Sequence, residues 1–516
     1  MLKLRRKALP AVTRMGPALS GNVIAMIFCR KSTARRTISC FAVANLLFLC
    51  ASSVFSQRAP ASAPAASVQN PPQTPSAGTQ VQTGSVVGNA SIDALIHRLS
   101  ALLSDHQFQQ VERLLEESDK ENGGAAKLTK EQAQLYRGVL ANRENKPHES
   151  IRLLEPLVDH LPQKPASEAA LQEEKYLRKA LAEDYLRTGD WAKASSAYQA
   201  LDHRGSLSAD EQADIELPLK LLPLVATYPH MTVEPGEPFS LPYDRDPLGL
   251  TDVPVFVDGQ SHDWMLDPTA PFNLICRSSA KQIGLKISRE VATVQTITGR
   301  PIQVHATLIP RFTLGSVTFR NMIAFVFDDA DYYFPKSSYQ VRGVLGYPAV
   351  SALGSITISA DARIEVQPGD KGERLTTGAR FYLDGDQIVA GLGDPANPGI
   401  DTNDERMFVI DAGGQQTYLT SRYYAEHSAD FAGQKMQLLT MPGAQDHAPT
   451  PTYVADTVNL TIGGTPVSFQ YLQVLTQPLD AVAIDDTYGI LGMEALDELK
   501  SYTFDYRTMR FGVKTE

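Results

Sequence analysis

Cysteine is scarce in this chain, with 4 residues among 516. Three of them, Cys29, Cys40 and Cys50, stand in the first 56 residues, so only Cys276 remains if that segment is removed. A disulfide needs two cysteines. The sequence therefore predicts that the exported form would fold without an internal disulfide.

Basic runs and several hydrolase signatures are also missing. The net charge is −10, and no run of lysine and arginine follows the first 56 residues, which argues against nucleic acid as a partner. No G-x-S-x-G, H-E-x-x-H or P-loop pattern occurs, which argues against the hydrolase classes that carry these signatures. His262 would be alone as a metal ligand, so we expect neither a metal nor a cofactor.

The beginning of the chain resembles a targeting segment. Basic residues precede the apolar stretch FAVANLLFLCASSVF, Phe41 to Phe55, and polar sequence follows it. Because a spanning helix needs ~20 apolar residues, residues 1–56 are interpreted as a signal peptide that is cleaved before Gln57. We expect an exported protein, periplasmic or extracellular. An uncleaved membrane anchor and a lipoprotein are alternatives, and the leucine before Cys50 disfavours the lipoprotein.

The next two segments differ in their periodicity. Residues 57–88 are rich in proline, alanine, serine and glutamine, which predicts a disordered linker. Residues 89–225 have apolar residues at helical spacing and polar turns between the helices. The stretch LAEDYLRTGDWAKASSAYQAL resembles a tetratricopeptide repeat, with Gly189-Asp190 as its turn. The resemblance implies a solenoid of helical hairpins, with a generic helical bundle as the alternative.

After a short linker at 226–238, the period becomes two, which predicts β-strands. Two motifs recur in the same order in this β-rich part. An apolar strand runs into Asp267 and a second into Asp411, and the related stretches GVLGYPAV and GILGMEAL begin at Gly343 and Gly489. The separations are 76 and 78 residues. We interpret this pattern as an internal duplication, with one lobe at 239–370 and the other at 371–516.

These lobes resemble retropepsin-like aspartic peptidases, and the tandem pair resembles pepsin. The resemblance rests on the apolar-apolar-Asp-small-small pattern, the element SSAKQIGLKI at Ser278 to Ile287, and the distal Gly-x-Leu-Gly. It implies two all-β lobes with Asp267 and Asp411 as a catalytic pair. In that family, two close carboxyls share a proton and activate one water, with no cofactor. Because both lobes are in one chain, we expect a monomer that acts on a peptide or protein substrate.

The aspartate loops depart from the family's Asp-Thr/Ser-Gly-Ala pattern. The first loop continues with Pro268, Thr269 and Ala270, and the second continues with Ala412, Gly413 and Gly414. Pro268 and Ala412 lack the hydroxyl that the family uses to lock the two loops together. Thr269 takes the place of a glycine, unless a shift by one residue makes it the locking hydroxyl.

Two classes of function therefore stay open: an aspartic endopeptidase, and an inactive binding or scaffold protein that uses the cleft and the helices to bind a protein or peptide. Thr298 and Gly299 stand where a flap over the substrate is expected, although a plain hairpin fits equally well. We expect Asp267 to have the raised pKa, because its loop offers fewer backbone donors than Gly413 and Gly414.

Overall fold

The computed structural model describes residues 84–119, 127–162, 165–203, 207–295, 301–335, 337–385, 387–393, 406–439, 450–478 and 486–515. All of these residues belong to one compact unit, Phe41–Glu516. The predicted signal peptide and nearly all of the predicted linker lie outside the described residues.

The first part of the described chain is helical. Each helix contacts the next along the chain. No helix in the described ranges is long and apolar enough to cross a membrane. The first helix begins before residue 89, where the linker was expected to end. The helices are α1 (Gly84–Ser104), α2 (Phe108–Asp119), α3 (Lys130–Arg143), α4 (Pro147–Val158), α5 (Glu168–Arg187), α6 (Trp191–Asp202) and α7 (Ala209–Val225).

The hairpin formed by α5 and α6 contains the repeat-like sequence. Gly189 has a φ of +74°, a conformation that glycine adopts without steric cost, and it lies in the turn between the two helices. Asp190 then caps α6, because its side chain accepts a hydrogen bond from the backbone N–H of Lys193. The side chains of Leu181, Tyr198 and other apolar residues of the hairpin are buried.

The remainder is rich in β-strands. The first half, with the strand that precedes it, contains β1 (Thr232–Glu234), β2 (Phe239–Pro242), β3 (Asp244–Arg245), β4 (Thr251–Val257), β5 (Gln260–Leu266), β6 (Leu274–Cys276), α8 (Arg277–Ile283), β7 (Ala292–Gln295), β8 (Pro301–Leu314), β9 (Val317–Phe327), β10 (Tyr333–Phe334), β11 (Tyr339–Gln340), β12 (Gly343–Leu345), α9 (Tyr347–Val350), β13 (Ser355–Ser359) and β14 (Arg363–Gln367). Strand β1 pairs with β9, so the predicted linker at 226–238 contributes to the sheet.

The second half has fewer strands in the described residues. They are β15 (Ala379–Asp384), β16 (Gln387–Leu392), β17 (Arg406–Ile410), β18 (Tyr418–Leu419), α10 (Ser421–His427), β19 (Gln437–Leu439), β20 (Thr450–Ile462), β21 (Thr465–Leu475), β22 (Gly489–Leu491), α11 (Met493–Leu496), β23 (Ser501–Asp505) and β24 (Arg510–Lys514).

Each half positions its aspartate in the same way. Strand β5 leads into Asp267 and pairs in parallel with β12, and β17 leads into Asp411 and pairs in parallel with β22. The backbone N–H of Asp267 donates to the carbonyl of Leu345, and that of Asp411 donates to the carbonyl of Leu491, each at 3.0 Å. The strands that begin at Gly343 and Gly489 therefore fix the backbone position of each aspartate at the end of its own strand.

One sheet connects the two halves. Its strand order runs β15-β24-β23-β13-β14-β2 at one end, so strands of the second half lie directly beside strands of the first. The central pair is β13 with β23, in antiparallel register from Ser355 opposite Asp505 to Ser359 opposite Ser501. This continuous hydrogen bonding joins the sheet that contains the strand before Asp411 to strands β13, β14 and β2 of the first half.

The helical region is docked on the second half through ion pairs in which the basic side chains, His106 and Arg143, are buried. The His106 ring lies between two carboxylates, with Nδ1 at 3.0 Å from Asp384 and Nε2 at 2.9 Å from Asp486. Arg143 also contacts Asp384, at 3.0 Å. Burial alone would lower the pKa of His106, but the two carboxylates outweigh it and raise the pKa to about 9. The imidazolium forms a hydrogen bond with Asp486 through Nε2 and an ion pair with Asp384.

Candidate active site

A single hydroxyl connects the two aspartates. The Oγ1 of Thr269 lies 2.7 Å from Oδ1 of Asp267 and 3.2 Å from Oδ1 of Asp411. The sum of these distances, 5.9 Å, is the upper limit for the separation of the two carboxyl oxygens. Both side chains are buried, with 1% and 4% of their surface exposed. The structure therefore brings the two predicted site residues together.

This geometry favours a proton on the pair. A hydroxyl has one hydrogen, so it can donate to only one of two carboxylates. Its second short contact is favourable when the other carboxyl is protonated and donates to the hydroxyl oxygen. Burial, followed by the charge of Asp411, raises the pKa of Asp267, hydrogen bonds from Thr269 and Ala270 act in the opposite direction, and the net pKa is about 7. The pair thus retains a proton at pH values well above the usual pKa of a carboxylic acid.

The backbone donors are distributed differently from the expectation. Oδ1 of Asp267 accepts the N–H groups of Thr269 and Ala270, each at 3.0 Å. Oδ1 of Asp411 accepts the N–H of Gly413 at 3.1 Å, whereas the N–H of Gly414 donates to the backbone carbonyl of Asp411. The predicted shortage of donors beside Asp267 is therefore wrong, and the high pKa of Asp267 comes from burial and from Asp411.

The second loop approaches the pair closely because it has glycines. A Cβ atom at Gly413 would overlap the Asp267 carboxyl, and a Cβ atom at Gly414 would overlap the carboxyl of Asp411. In the first loop, Thr269 stands at the turn position that corresponds to Gly413. The shift by one residue considered for Thr269 does not occur. Thr269 fills the glycine position, and its hydroxyl points at both carboxyls.

Pro268 and Ala412 occupy the first turn position of each loop, and neither has a hydroxyl that could connect the loops. The backbone N–H of Ala270 donates to the carbonyl of Asp267 at 3.2 Å and completes the first turn. Thr298 and Gly299, for which either a flap or a plain hairpin was expected, lie outside the described residues.

Two residues that support the aspartate loops were not predicted from the sequence. The Asn273 side chain accepts the N–H of Gly346 at 3.0 Å, and the Thr417 hydroxyl accepts the N–H of Gly492 at 3.0 Å. These contacts fasten each aspartate loop to the distal glycine motif. The signal was present in the sequence, since a residue with a hydrogen-bonding side chain follows each aspartate by six positions.

Residues 253–349 match a family model described as aspartyl protease. This segment is similar to aspartyl proteases. It contains Asp267 and the strand that supports it, and it ends well before Asp411. No curated protein matches the chain.

Solved structures also resemble parts of this chain. Basic 7S globulin from soybean is 12% identical, with 55% of this chain and 96% of that chain covered and a TM-score of 0.33. A retropepsin-like aspartic protease from Rickettsia conorii is 19% identical, with 25% of this chain and 97% of that chain covered and a TM-score of 0.19. Conglutin gamma from lupine seeds is 11% identical, with 55% and 95% covered and a TM-score of 0.33.

Proposed function

We propose that this chain is a bilobed aspartic-peptidase-like hydrolase whose Asp267 and Asp411 share one proton and activate a water against a peptide bond. The observation that carries the proposal is the contact of one Thr269 hydroxyl with both carboxyls, at 2.7 and 3.2 Å. It supports the proposal because two acids from distant parts of the chain contact one hydroxyl group.

The chemistry follows from the protonation of the pair. The ionised carboxyl takes a proton from the water as its oxygen attacks the peptide carbonyl, and the protonated carboxyl gives its proton to the carbonyl oxygen. The tetrahedral intermediate then breaks its C–N bond as the leaving nitrogen takes a proton from the protonated carboxyl, and one hydroxyl of the intermediate returns its proton to the ionised carboxyl, so the pair ends with one proton as it began. With the pKa of Asp267 at about 7, the acid form is present at acidic pH. Hydrolysis should therefore decrease as the pH rises through about 7.

The wider organisation belongs to the same proposal. The matching positions of β5 with β12 and of β17 with β22 support a duplicated lobe, and superposition should lay Asp267 on Asp411 and Gly343 on Gly489. The α5–α6 hairpin supports a tetratricopeptide-like array that binds a protein partner. Export with removal of residues 1–56 completes the proposal, and it is tested by N-terminal sequencing of the exported protein.

A binding protein without activity is the second candidate, and it has an observation in its favour. The Thr269 hydroxyl stands between the two carboxyl oxygens, so it competes with a substrate water for the same hydrogen bonds. In this case the cleft would hold a peptide without cutting it, and the helical array would provide the docking surface.

The two functions are separated by digestion of a mixed peptide library between acidic and neutral pH, with products identified by mass spectrometry. The peptidase proposal expects cleavage by the unaltered protein and none by Asp267→Asn or Asp411→Asn. Equal cleavage by Asp411→Asn would contradict it. If the unaltered protein and Asp411→Asn both fail to cleave but bind peptide equally well, the result supports the binding protein without activity.

A further inference from the structure

A large cavity lies between the helical region and the β-rich region. Its volume is about 830 Å³, within the ~300–1,000 Å³ range of small-molecule sites. Arg187 and Trp191 line it from the helical side, and Phe272 and Tyr347 line it from the β-rich side. Neither Asp267 nor Asp411 is among its lining residues, so this space is separate from the proposed catalytic pair.

Most cations on the wall of this cavity are matched by close carboxylates. Lys175 lies 2.8 Å from Glu211, and Lys179 lies 2.9 Å from Asp214. Arg143 contacts Glu183 at 2.9 Å. Such pairs leave little charge for a ligand.

Arg187 is different. Its nearest carboxylate contacts are Glu183 at 3.6 Å and Asp184 at 3.8 Å, both beyond hydrogen-bond length. Glu183 is already engaged by Arg143. Burial raises the pKa of Asp184 to about 7, so this carboxyl is partly neutral near pH 7. The Arg187 guanidinium, with 7% of its side chain exposed, is thus the least compensated of these cations.

Two buried donors at the cavity have no acceptor. Within the described residues, Nη2 of Arg187 and Nε1 of Trp191 have no hydrogen-bond partner, whereas Nη1 of Arg187 donates to the carbonyl of Asn142 at 2.7 Å. An unsatisfied buried donor costs ~1–3 kcal/mol, and more when it is charged. A ligand oxygen, above all an anionic one, would remove this cost.

The other part of the cavity is apolar. Leu201, Ile215, Phe272 and Phe325 are buried side chains that line it. These residues come from α6, from α7 and from the β-rich region, so an apolar ligand body would touch both regions of the protein. The cavity therefore combines one unmatched cation with an apolar chamber.

We propose that this cavity binds an amphiphilic carboxylate, with its apolar body in the chamber and its carboxylate on Arg187 and Trp191. A fatty acid and the free C-terminus of a short apolar peptide share this chemistry. The site is independent of the catalytic pair, so Asp411→Asn should bind the ligand as the unaltered protein does.

Trp191 supplies the direct measurement. The chain has 2 tryptophans, and Trp264 is fully buried and does not line the cavity. Decanoate should change the emission of Trp191 in a saturable way, and this change should be lost in Trp191→Phe. Decanol and decylamine have a similar apolar body without the carboxylate and should bind at least about tenfold more weakly, equivalent to ~1.4 kcal/mol. Equal binding of decanol, or no saturable binding of decanoate up to about 1 mM by calorimetry, would overturn the proposal.

A matched pair of variants tests the contact itself. Arg187→Met keeps the apolar stem and removes the guanidinium, and it should weaken decanoate at least about tenfold without affecting decanol. Arg374→Met changes an exposed arginine and should leave the affinity unchanged. An Arg187→Met protein that folds and binds decanoate normally would refute the assigned contact. If this variant does not fold, the comparison of decanoate with decanol on the unaltered protein decides.

The source of the carboxylate is identified by two peptide arms. An acetylated dileucine with a free C-terminus is compared with its amide. Stronger binding of the free acid than of the amide supports the carboxylate contact. If the free acid also binds more tightly than decanoate, the ligand is a peptide. Equal binding of acid and amide contradicts the contact.

Discussion

Replacement of Thr269 by valine removes the hydroxyl between the two carboxyls while it preserves the volume of the side chain. The hydroxyl is 2.7 Å from Asp267 and 3.2 Å from Asp411, and a hydrogen bond to a charged group contributes ~1.5–3 kcal/mol. The hydrogen bond from Thr269 lowers the pKa of Asp267. Its loss should therefore raise that pKa above its value of about 7.

The size of the shift follows from the energy of the contact. A loss of ~1.5 kcal/mol in the ionised form corresponds to a rise of about one pKa unit. Infrared absorption of the protonated carboxyl, recorded as a function of pH, measures it. Asp184 and Asp252 also have pKa values raised to about 7, so the Asp267 band is isolated by subtraction of an Asp267→Asn spectrum in each background.

Thr269→Ser is the control, because it keeps the hydroxyl and should retain the midpoint of the unaltered protein. A midpoint that is the same in Thr269→Val as in Thr269→Ser would refute the bridging role of the hydroxyl. A midpoint near 4 in the unaltered protein would refute the shared proton itself.

Three further outcomes are expected. Gly413→Ala would push a methyl group into the Asp267 carboxyl and should cost ~1–3 kcal/mol, which calorimetry would detect as a lower Tm; an unchanged Tm contradicts the close approach. His106→Gln should destabilise the protein by ~3–5 kcal/mol near pH 6. Because the pKa of His106 is about 9 in the folded state and 6.5 in the unfolded state, the stability difference between the two proteins should shrink as the pH rises through 9. A stability difference that does not change with pH would argue against an imidazolium. The pKa of Asp184 is raised from 3.8 to about 7, so between these pH values the folded state keeps a proton that the unfolded state loses, and stability falls as the pH rises. Asp184→Asn should therefore flatten the pH dependence of Tm between pH 4 and 7. An equal slope in the two proteins would contradict the raised pKa.

The sequence predicted the general architecture and the pair of aspartates, because both depend on local patterns. Helical spacing marked the first region, and the strands before Asp267 and Asp411 were visible as apolar runs that ended in an acid. The role of Thr269 could not be predicted, because it depends on how closely the other loop approaches. That approach is permitted by Gly413, which is 144 positions away.

The cause of the raised pKa of Asp267 could not be predicted from the local sequence either. Counting potential donors in each loop suggested that Asp267 lacks them, whereas its carboxyl receives two backbone N–H groups. Burial and the neighbouring charge decide the shift, and both arise only when the chain has folded. Likewise, the docking of His106 on Asp384 joins residues whose sequence contexts give no hint of each other.

The pairing of β13 with β23 has a consequence for the order in which the protein is made. Strands β23 and β24 lie more than 130 residues after β13 in the chain, and β23 is the hydrogen-bonded neighbour that joins the first half to the second. Synthesis proceeds from the N-terminus, so earlier parts can fold while these strands are still missing. The sheet that joins the two halves is therefore completed only after both halves have been synthesised, and a shorter nascent chain that lacks β23 has no partner for this edge of β13.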